Sequence, residues 1–307
     1  MKLITTSTII ALTQPGFESF TDVYPTVAKE YESFTDMLRT ERSYEVTSEI
    51  AMMGASQYTP EGAASYSDTI QGRGQKYFYV KKYTLQIAPT EEQIADNLYR
   101  EQMTPAYGTA FMQSHILRQN LLAAKVLNEG WTNATVGWDN LPYFSEVHPI
   151  ADGVQSNTLP YASPLHMQSL NKLMSRLWYL KAANGMPVPE NHFKLLIVAP
   201  PMLPQATVVM NSVTKPGTSS FELNPANELQ YAKEGIQSNR FIIPNGYFFR
   251  TRIIGFKEYM RETLKTLQAP DPQNWSLIIS SFMRLVISFD NWRSMYAARA
   301  PLVENLG

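Results

Sequence analysis

Leu141-Pro142-Tyr143-Phe144-Ser145-Glu146-Val147-His148-Pro149, then Ser156-Asn157, and later Leu195-Leu196-Ile197-Val198-Ala199-Pro200-Pro201-Met202-Leu203, are the landmarks of the stretch from Asp139 to Asn211 whose reading decides the fold. Between them Ser163 can cap a helix whose first turn accepts Pro164, because a proline there forfeits no needed N–H. Leu170, Leu173, Met174, Leu177 and Leu180 recur at three- and four-residue spacing, which predicts one apolar stripe facing a core. Asn184-Gly185 supplies the stop, since glycine enters the left-handed conformation at low cost, and Gly185-Met186-Pro187 makes the break. Phe193 to Val198 is too short for an independent helix and apolar on both parities, so it reads as a strand covered on both faces. Pro200 and Pro201 end it, and a short helix from Pro204 to Asn211 follows. Such a packed α/β layer would fit many folds.

Upstream, Tyr44, Val46, Ile50 and Met52 share one parity, and Tyr77, Tyr79, Tyr83, Leu85 and Ile87 share another, as in two half-buried strands. Between them Met53 to Gln75 is rich in Gly, Ala, Ser and Thr. A tip that long cannot bury its own backbone well, so it either projects and orders against a partner or is a flexible surface hairpin. Thr90 with Gln93 makes a capping box strengthened by Glu91 and Glu92. Pro105 is expected to interrupt that helix, which resumes from Ala106 to Glu129 with Phe111, Leu117, Leu121, Leu122 and Val126 inward, and Gly130 closes it. The opening residues, to about 40, carry Phe17, Phe20, Tyr24, Tyr31 and Phe34, with a short helix expected within Val27 to Arg39. These aromatics need a cover, either their own domain or a neighbouring subunit. Near the other end, Phe241-Ile242-Ile243 and Tyr247-Phe248-Phe249 flank Pro244-Asn245-Gly246, a hairpin signal. Met283, Leu285, Ile287 and Phe289 then alternate as a strand after Pro270 and Pro272.

The 307 residues, 44% hydrophobic and 12% aromatic, suffice for a full core, read as two lobes. A formal net charge of −1 with no long basic run argues against avid binding to nucleic acid through its phosphates. Without cysteine there are no disulfides, thiolate nucleophiles or thiolate zinc sites, which fits a reducing compartment. Leu3 to Leu12, interrupted by Thr5-Thr6-Ser7-Thr8, fails as a signal peptide and is too short to span a bilayer. No membrane association is expected.

Catalytic motifs are absent. His115, His148, His166 and His192 show no metal-ligand spacing, and His148-Pro149 reads as a turn histidine satisfied by hydrogen bonds. There is no nucleophile elbow, phosphate-binding loop or dinucleotide fingerprint. Gly72-Arg73-Gly74 sits in a projecting loop rather than between a strand and a helix. The five tryptophans are dispersed and read as packing residues. We therefore expect no catalytic, cofactor or metal residues and no enzyme activity.

In the order of its elements, and in motif detail from Asp139 to Asn211, the chain resembles the major capsid proteins of tailed bacteriophages, particularly the Mu-like major head subunits. The terminal Phe289-Asp290-Asn291-Trp292-Arg293 resembles the closing strand region of that family. The resemblance implies an α+β, Hong Kong 97-like fold. It implies an N-terminal arm (1–42), an extended loop (43–87) lying over the adjacent subunit, and a peripheral domain with a spine helix (88–160 and 256–307). An axial domain (161–255) completes it. It further implies pentamers and hexamers that close an icosahedral shell around double-stranded DNA, assembled in a host cytoplasm and located in the virion. Implied partners are copies of itself, a portal, a scaffolding protein, a maturation protease, and a decoration or cement protein; Met1 close to the arm favours a separate scaffold. The intersubunit contact candidates are Phe17, Phe20, Tyr24, Tyr58, Tyr66, Arg73, Lys76, Lys81 and Lys82, the four basic residues serving as charge partners for a neighbour's carboxylates. Two alternatives stay open: an encapsulin-like compartment or another self-assembling phage protein, and a soluble α/β enzyme, which would need a pocket with convergent polar groups.

Overall fold

A computed structural model describes residues 28–50, 53, 56–65, 67, 72–89, 100–160, 163–190, 192–216, 222–271 and 276–300. One four-stranded sheet combines β1 (Asp36–Arg39), β4 (Lys81–Ile87), β10 (Phe256–Asp271) and β11 (Ser276–Phe289) in the order β1-β10-β11-β4. Only β1, joined parallel to β10, departs from antiparallel pairing. In β11 the residues Leu277, Ile279, Ser281, Met283, Leu285, Ile287 and Phe289 are buried at every second position, so one face of this sheet is covered. The cover is α1 (Arg100–Asn128), whose 29 residues span about 43 Å at the standard helical rise.

A second four-stranded sheet comprises β7 (Leu195–Val198), β8 (Ile236–Ser238), β9 (Gly246–Arg250) and β12 (Met295–Arg299) in the order β12-β9-β7-β8. Both parities of β7 and β9 are buried, as the apolar runs require. α2 (Met167–Trp178) buries Leu170, Leu173, Met174 and Leu177, and α3 (Leu203–Asn211) and α4 (Pro225–Glu228) complete this part. One continuous core runs from Tyr31 and Phe34 through these helices to Trp292 and Tyr296. Two hairpins stand apart from the large sheets, β2 (Tyr44–Ile50) with β3 (Gly72–Tyr79) and β5 (His148–Ile150) with β6 (Gly153–Gln155).

Several sequence expectations are corrected. α1 runs unbroken through Pro105, at the cost of one backbone hydrogen bond. Its buried face is rotated: Leu117 and Leu121 are exposed, while His115, Gln119 and Asn120 are buried beside Phe111, Met112, Ile116 and Ala123. The polar residues find partners inside: His115 with the Ser281 hydroxyl, Gln119 donating to Glu258, and Asn120 accepting from the Tyr31 amide. Burial raises the Glu258 carboxyl to about 7, against the Gln119 hydrogen bond that lowers it. α2 begins at Met167 without a side-chain cap, since the Ser163 hydroxyl donates to the Pro160 carbonyl instead. It also ends before Asn184-Gly185, where Gly185 takes φ +84° in a separate turn. Phe241 to Ile243 forms no strand; β9 pairs with β7 and β12 rather than with its sequence neighbour. Residues 30–33 form one 3-10 turn and β1 follows, so no α-helix forms across the described part of Val27 to Arg39. Thr90 to Gln93 lie outside the described residues.

The return strand of the extended loop is two strands. It breaks at Val80: β3 pairs with β2, whereas β4, carrying Tyr83, Leu85 and Ile87, joins β11 in the main sheet. Tyr79 and Tyr83 share a parity yet lie in different sheets, so the alternation runs on across the change of sheet.

Candidate functional site at the base of the extended hairpin

The β2–β3 hairpin has two chemically different faces. On the outer one, Tyr44 lies opposite Tyr79 and Val46 opposite Tyr77. The Tyr77 and Tyr79 rings stack at 6.2 Å with an interplanar angle of 15°, and Tyr44 lies 6.2–6.3 Å from each. All three stay substantially exposed, at 48% for Tyr44 and Tyr77 and 62% for Tyr79. Three adjoining aromatic rings on a two-stranded ribbon form an apolar patch that nothing within the described subunit covers. Single exposed apolar residues are ordinary; an aligned set is not.

The inner face carries Glu45, Thr47, Lys76 and Phe78, and the strand register slips between Thr47 and Glu49. Gly74 occupies that slip with φ +58°, a left-handed bulge position that glycine adopts without strain. A Cβ there would also collide with the Trp138 carbonyl oxygen, so the hairpin base presses directly onto the segment that opens the decisive sequence stretch. Glu49 pairs with the buried Arg293, whose Nε also donates to the Lys181 carbonyl and whose guanidinium lies 4.3 Å over the Trp292 ring. Burial lowers the Arg293 pKa from its ordinary value, with Glu49 acting in the opposite direction. Trp292 stacks in turn on His148 at 4.3 Å and 2°, and Asp139 bonds His148 Nδ1 at 2.6 Å.

Lys76 corrects an expectation. Its Nζ is buried rather than offered to a neighbour, lying 3.8 Å over the Phe289 ring and 5.4 Å over Phe78. Burial lowers its pKa to about 7, and the nearby Asp290 and then Asp139 raise it in partial opposition. Asp290 is itself bound to Lys257. A cleft of about 340 Å³ opens beside this cluster, lined by Ser48, Glu49, Trp138, Lys257, Asn291 and Arg293.

The remaining candidates scatter. Tyr58 is 90% exposed in the loop, and Lys81 and Lys82 are exposed on β4, with Lys82 lying 4.6 Å over the Phe282 ring. Arg73 lies opposite Glu49 in the backbone register. Phe17, Phe20, Tyr24 and Tyr66 lie outside the described residues. Of the arm aromatics, Tyr31 and Phe34 are fully buried in their own subunit's core. Asp139, Glu49, Lys257, Asp290 and Arg293 escaped the sequence reading as site residues, although the signal was there. Asp139 opens one motif, Asp290 and Arg293 belong to the other, and both motifs converge on the hairpin base. Among the described residues no three His, Asp or Glu side chains group as metal ligands, and no helix is long and apolar enough to cross a membrane.

Asn157, noted in the sequence only as punctuation, ties the two motifs together. Its amide nitrogen lies 2.7 Å from the Tyr143 carbonyl and 3.1 Å from those of Trp292 and Met295, and its Oδ1 accepts from the Ser145 amide at 3.0 Å. Asn157→Ala leaves those buried groups unpaired and is expected to cost about 2–3 kcal/mol of stability in urea unfolding. Asn157→Asp sets a carboxylate against three carbonyls and is expected to cost more than the alanine.

No protein-family model matches the chain, and no curated protein matches it in sequence. Solved structures do match its fold. The virus-like particle from Pyrococcus furiosus superposes with a TM-score of 0.55 at 8% identity, covering 93% of this chain and 98% of that one. The capsid of the cyanophage P-SCSP1u gives 0.56 at 12% identity, covering 89% and 88%. The procapsid of bacteriophage JBD30 gives 0.50 at 12% identity, covering 98% and 78%. The fold of this chain is thus the mixed helix-and-strand, Hong Kong 97-like fold of capsid proteins.

Proposed function

We propose that this chain, having the fold of shell-forming proteins, is the major capsid protein of a tailed bacteriophage and builds a closed shell from copies of itself. The observation that carries the reading is the extent of the fold likeness: it runs over about nine-tenths of the chain or more in the three shells compared. The reading includes pentamers and hexamers arranged icosahedrally around double-stranded DNA, with the Mu-like head subunits as the subfamily. In it, residues 1–42 are the arm, 43–87 the loop, 88–160 with 256–307 the peripheral domain, and 161–255 the axial domain. Portal, scaffold, maturation protease and decoration protein are its further partners, and assembly takes place in the host cytoplasm. A balanced charge suits a wall that encloses nucleic acid without gripping it. Negative-stain electron microscopy of the full chain, alone and with its scaffold, is the test. Closed shells or rings of five and six are expected; a uniform small oligomer in both cases would overturn the reading.

One observation favours a second reading, a shell that encloses something other than a phage genome: the likeness to a virus-like particle is as good as that to the phage capsids. The nucleic-acid content of purified shells separates the two.

The tyrosine face is the contact we assign to the hairpin. Tyr77→Ser with Tyr79→Ser removes apolar area that the isolated subunit leaves in water, so the urea midpoint is expected to stay nearly unchanged. Shell yield by sedimentation is expected to fall at least about tenfold, because a small loss per contact is repeated at every copy. Unchanged yield would remove the tyrosines from the interface.

A further inference from the structure

We propose that the base of the β2–β3 hairpin is a proton-linked latch: docked, it encloses Lys76 as the neutral amine, and undocking takes up a proton on that amine. The arrangement of charges carries the inference. Of the cations at the base, Arg293 has Glu49 and Lys257 has Asp290 within ion-pair distance, whereas Lys76 has no such partner among the described residues. Two aromatic rings and the hairpin's own inner face enclose it instead.

Every element packed around Lys76 contributes charged or titratable groups. Asp139, backed by His148, faces it from the segment after α1, and Asp290, backed by Lys257, faces it from the end of β11. Glu45 and Glu49 stand on the adjoining strand, Arg293 behind Glu49, and Tyr259 edge-on to Phe78. A second observation marks the docked base as poorly satisfied. Thr47 Oγ1, His148 Nε2, Asp290 Oδ1, Trp292 Nε1 and Arg293 Nη2 join Lys76 Nζ as buried polar atoms without a hydrogen-bond partner among the described residues. Each such atom favours an alternative in which water reaches it, so this base is held by packing against a competing open state.

The direction of the pH effect follows from burial. Lys76 has a pKa of about 7 when docked and would regain the ordinary lysine value, about 10.4, in water. Between those values the open state binds one more proton than the docked one, so raising the pH closes the latch. Below about pH 7 both states carry the proton and the dependence vanishes. The latch is a property of the single subunit; only its use in presenting the hairpin to another copy rests on the shell reading, and the test below leaves assembly out.

Hydrogen–deuterium exchange of the full chain, corrected for intrinsic exchange rates, reads the opening directly. From about pH 7 to about pH 9, protection of residues 73–79 is expected to rise by close to tenfold per unit, while β7 shows no such slope. Lys76→Met is expected to abolish the slope. A flat wild-type profile, or an equal slope in Lys76→Met, overturns the proposal. Should Lys76→Met fail to fold, competitive acylation of the wild type decides: a Lys76 midpoint near 7 supports the latch, and one at about 10, the ordinary lysine value, overturns it.

Discussion

Deleting residues 55 to 71 is expected to leave a folded subunit that forms no closed shells. The deletion spares β2, β3 and the Glu49–Arg293 and Lys76 contacts that fasten the hairpin to its own subunit. Shortening the connection alters loop-closure entropy by only about 0.6 kcal/mol per twofold change in length, which is small beside total stability. What the deletion removes is reach. On the proposed shell reading every copy must make its contacts, so residues 56–65, exposed in the subunit, are expected to weigh more on assembly than on the fold. Circular dichroism and urea unfolding should match the wild type while electron microscopy finds no particles. Particles of normal size would show that the loop is not a required contact.

Glu49→Ala is expected to act in the opposite way, on the subunit itself. Its partner Arg293 is 4% exposed in its side chain, beneath the hairpin and against Trp292. Truncating the carboxylate leaves a buried cation with, among the described residues, the Lys181 carbonyl as its remaining hydrogen-bond partner. Breaking a buried pair in this way costs about 3–5 kcal/mol, a large share of the 5–15 kcal/mol typical of a domain. Urea unfolding should show that loss, with Trp fluorescence changing early because Trp138 and Trp292 flank the site. A loss below about 1 kcal/mol, the range of exposed pairs, would mean that the pair is solvated.

The apolar grammar carried most of the fold. Runs buried on both parities, such as Leu195–Val198, and alternating runs, such as Met283–Phe289, formed the strands they spelled, because apolar area alone decides those positions. Local grammar failed where tertiary partners reversed the sign of a residue. His115, Gln119 and Asn120 face inward because Ser281, Glu258 and the Tyr31 amide wait there, and no window of α1 contains those partners. Pro244-Asn245-Gly246 failed as a hairpin for a related reason: β7 and β12 offer Tyr247 to Phe249 two paired edges, which a hairpin with Phe241–Ile243 could not. The candidate site was the least legible part. Lys76 reads as an ordinary strand lysine beside Lys81 and Lys82. Only the inward face of the hairpin and the bulge at Gly74 distinguish it, and both depend on segments more than 60 residues away.

The pairing of β1 with β10 bears on how the chain is made. Asp36 meets Lys257, 221 residues later, and Met295–Arg299, the last paired strand among the described residues, closes the second sheet beside β9. Contacts of such long span are slow to form, and ribosomes add only about 5–20 residues per second. Neither sheet can be completed before residues 246–299 have been made, so the pairings that close both sheets come late in synthesis whatever the order in which the earlier elements collapse.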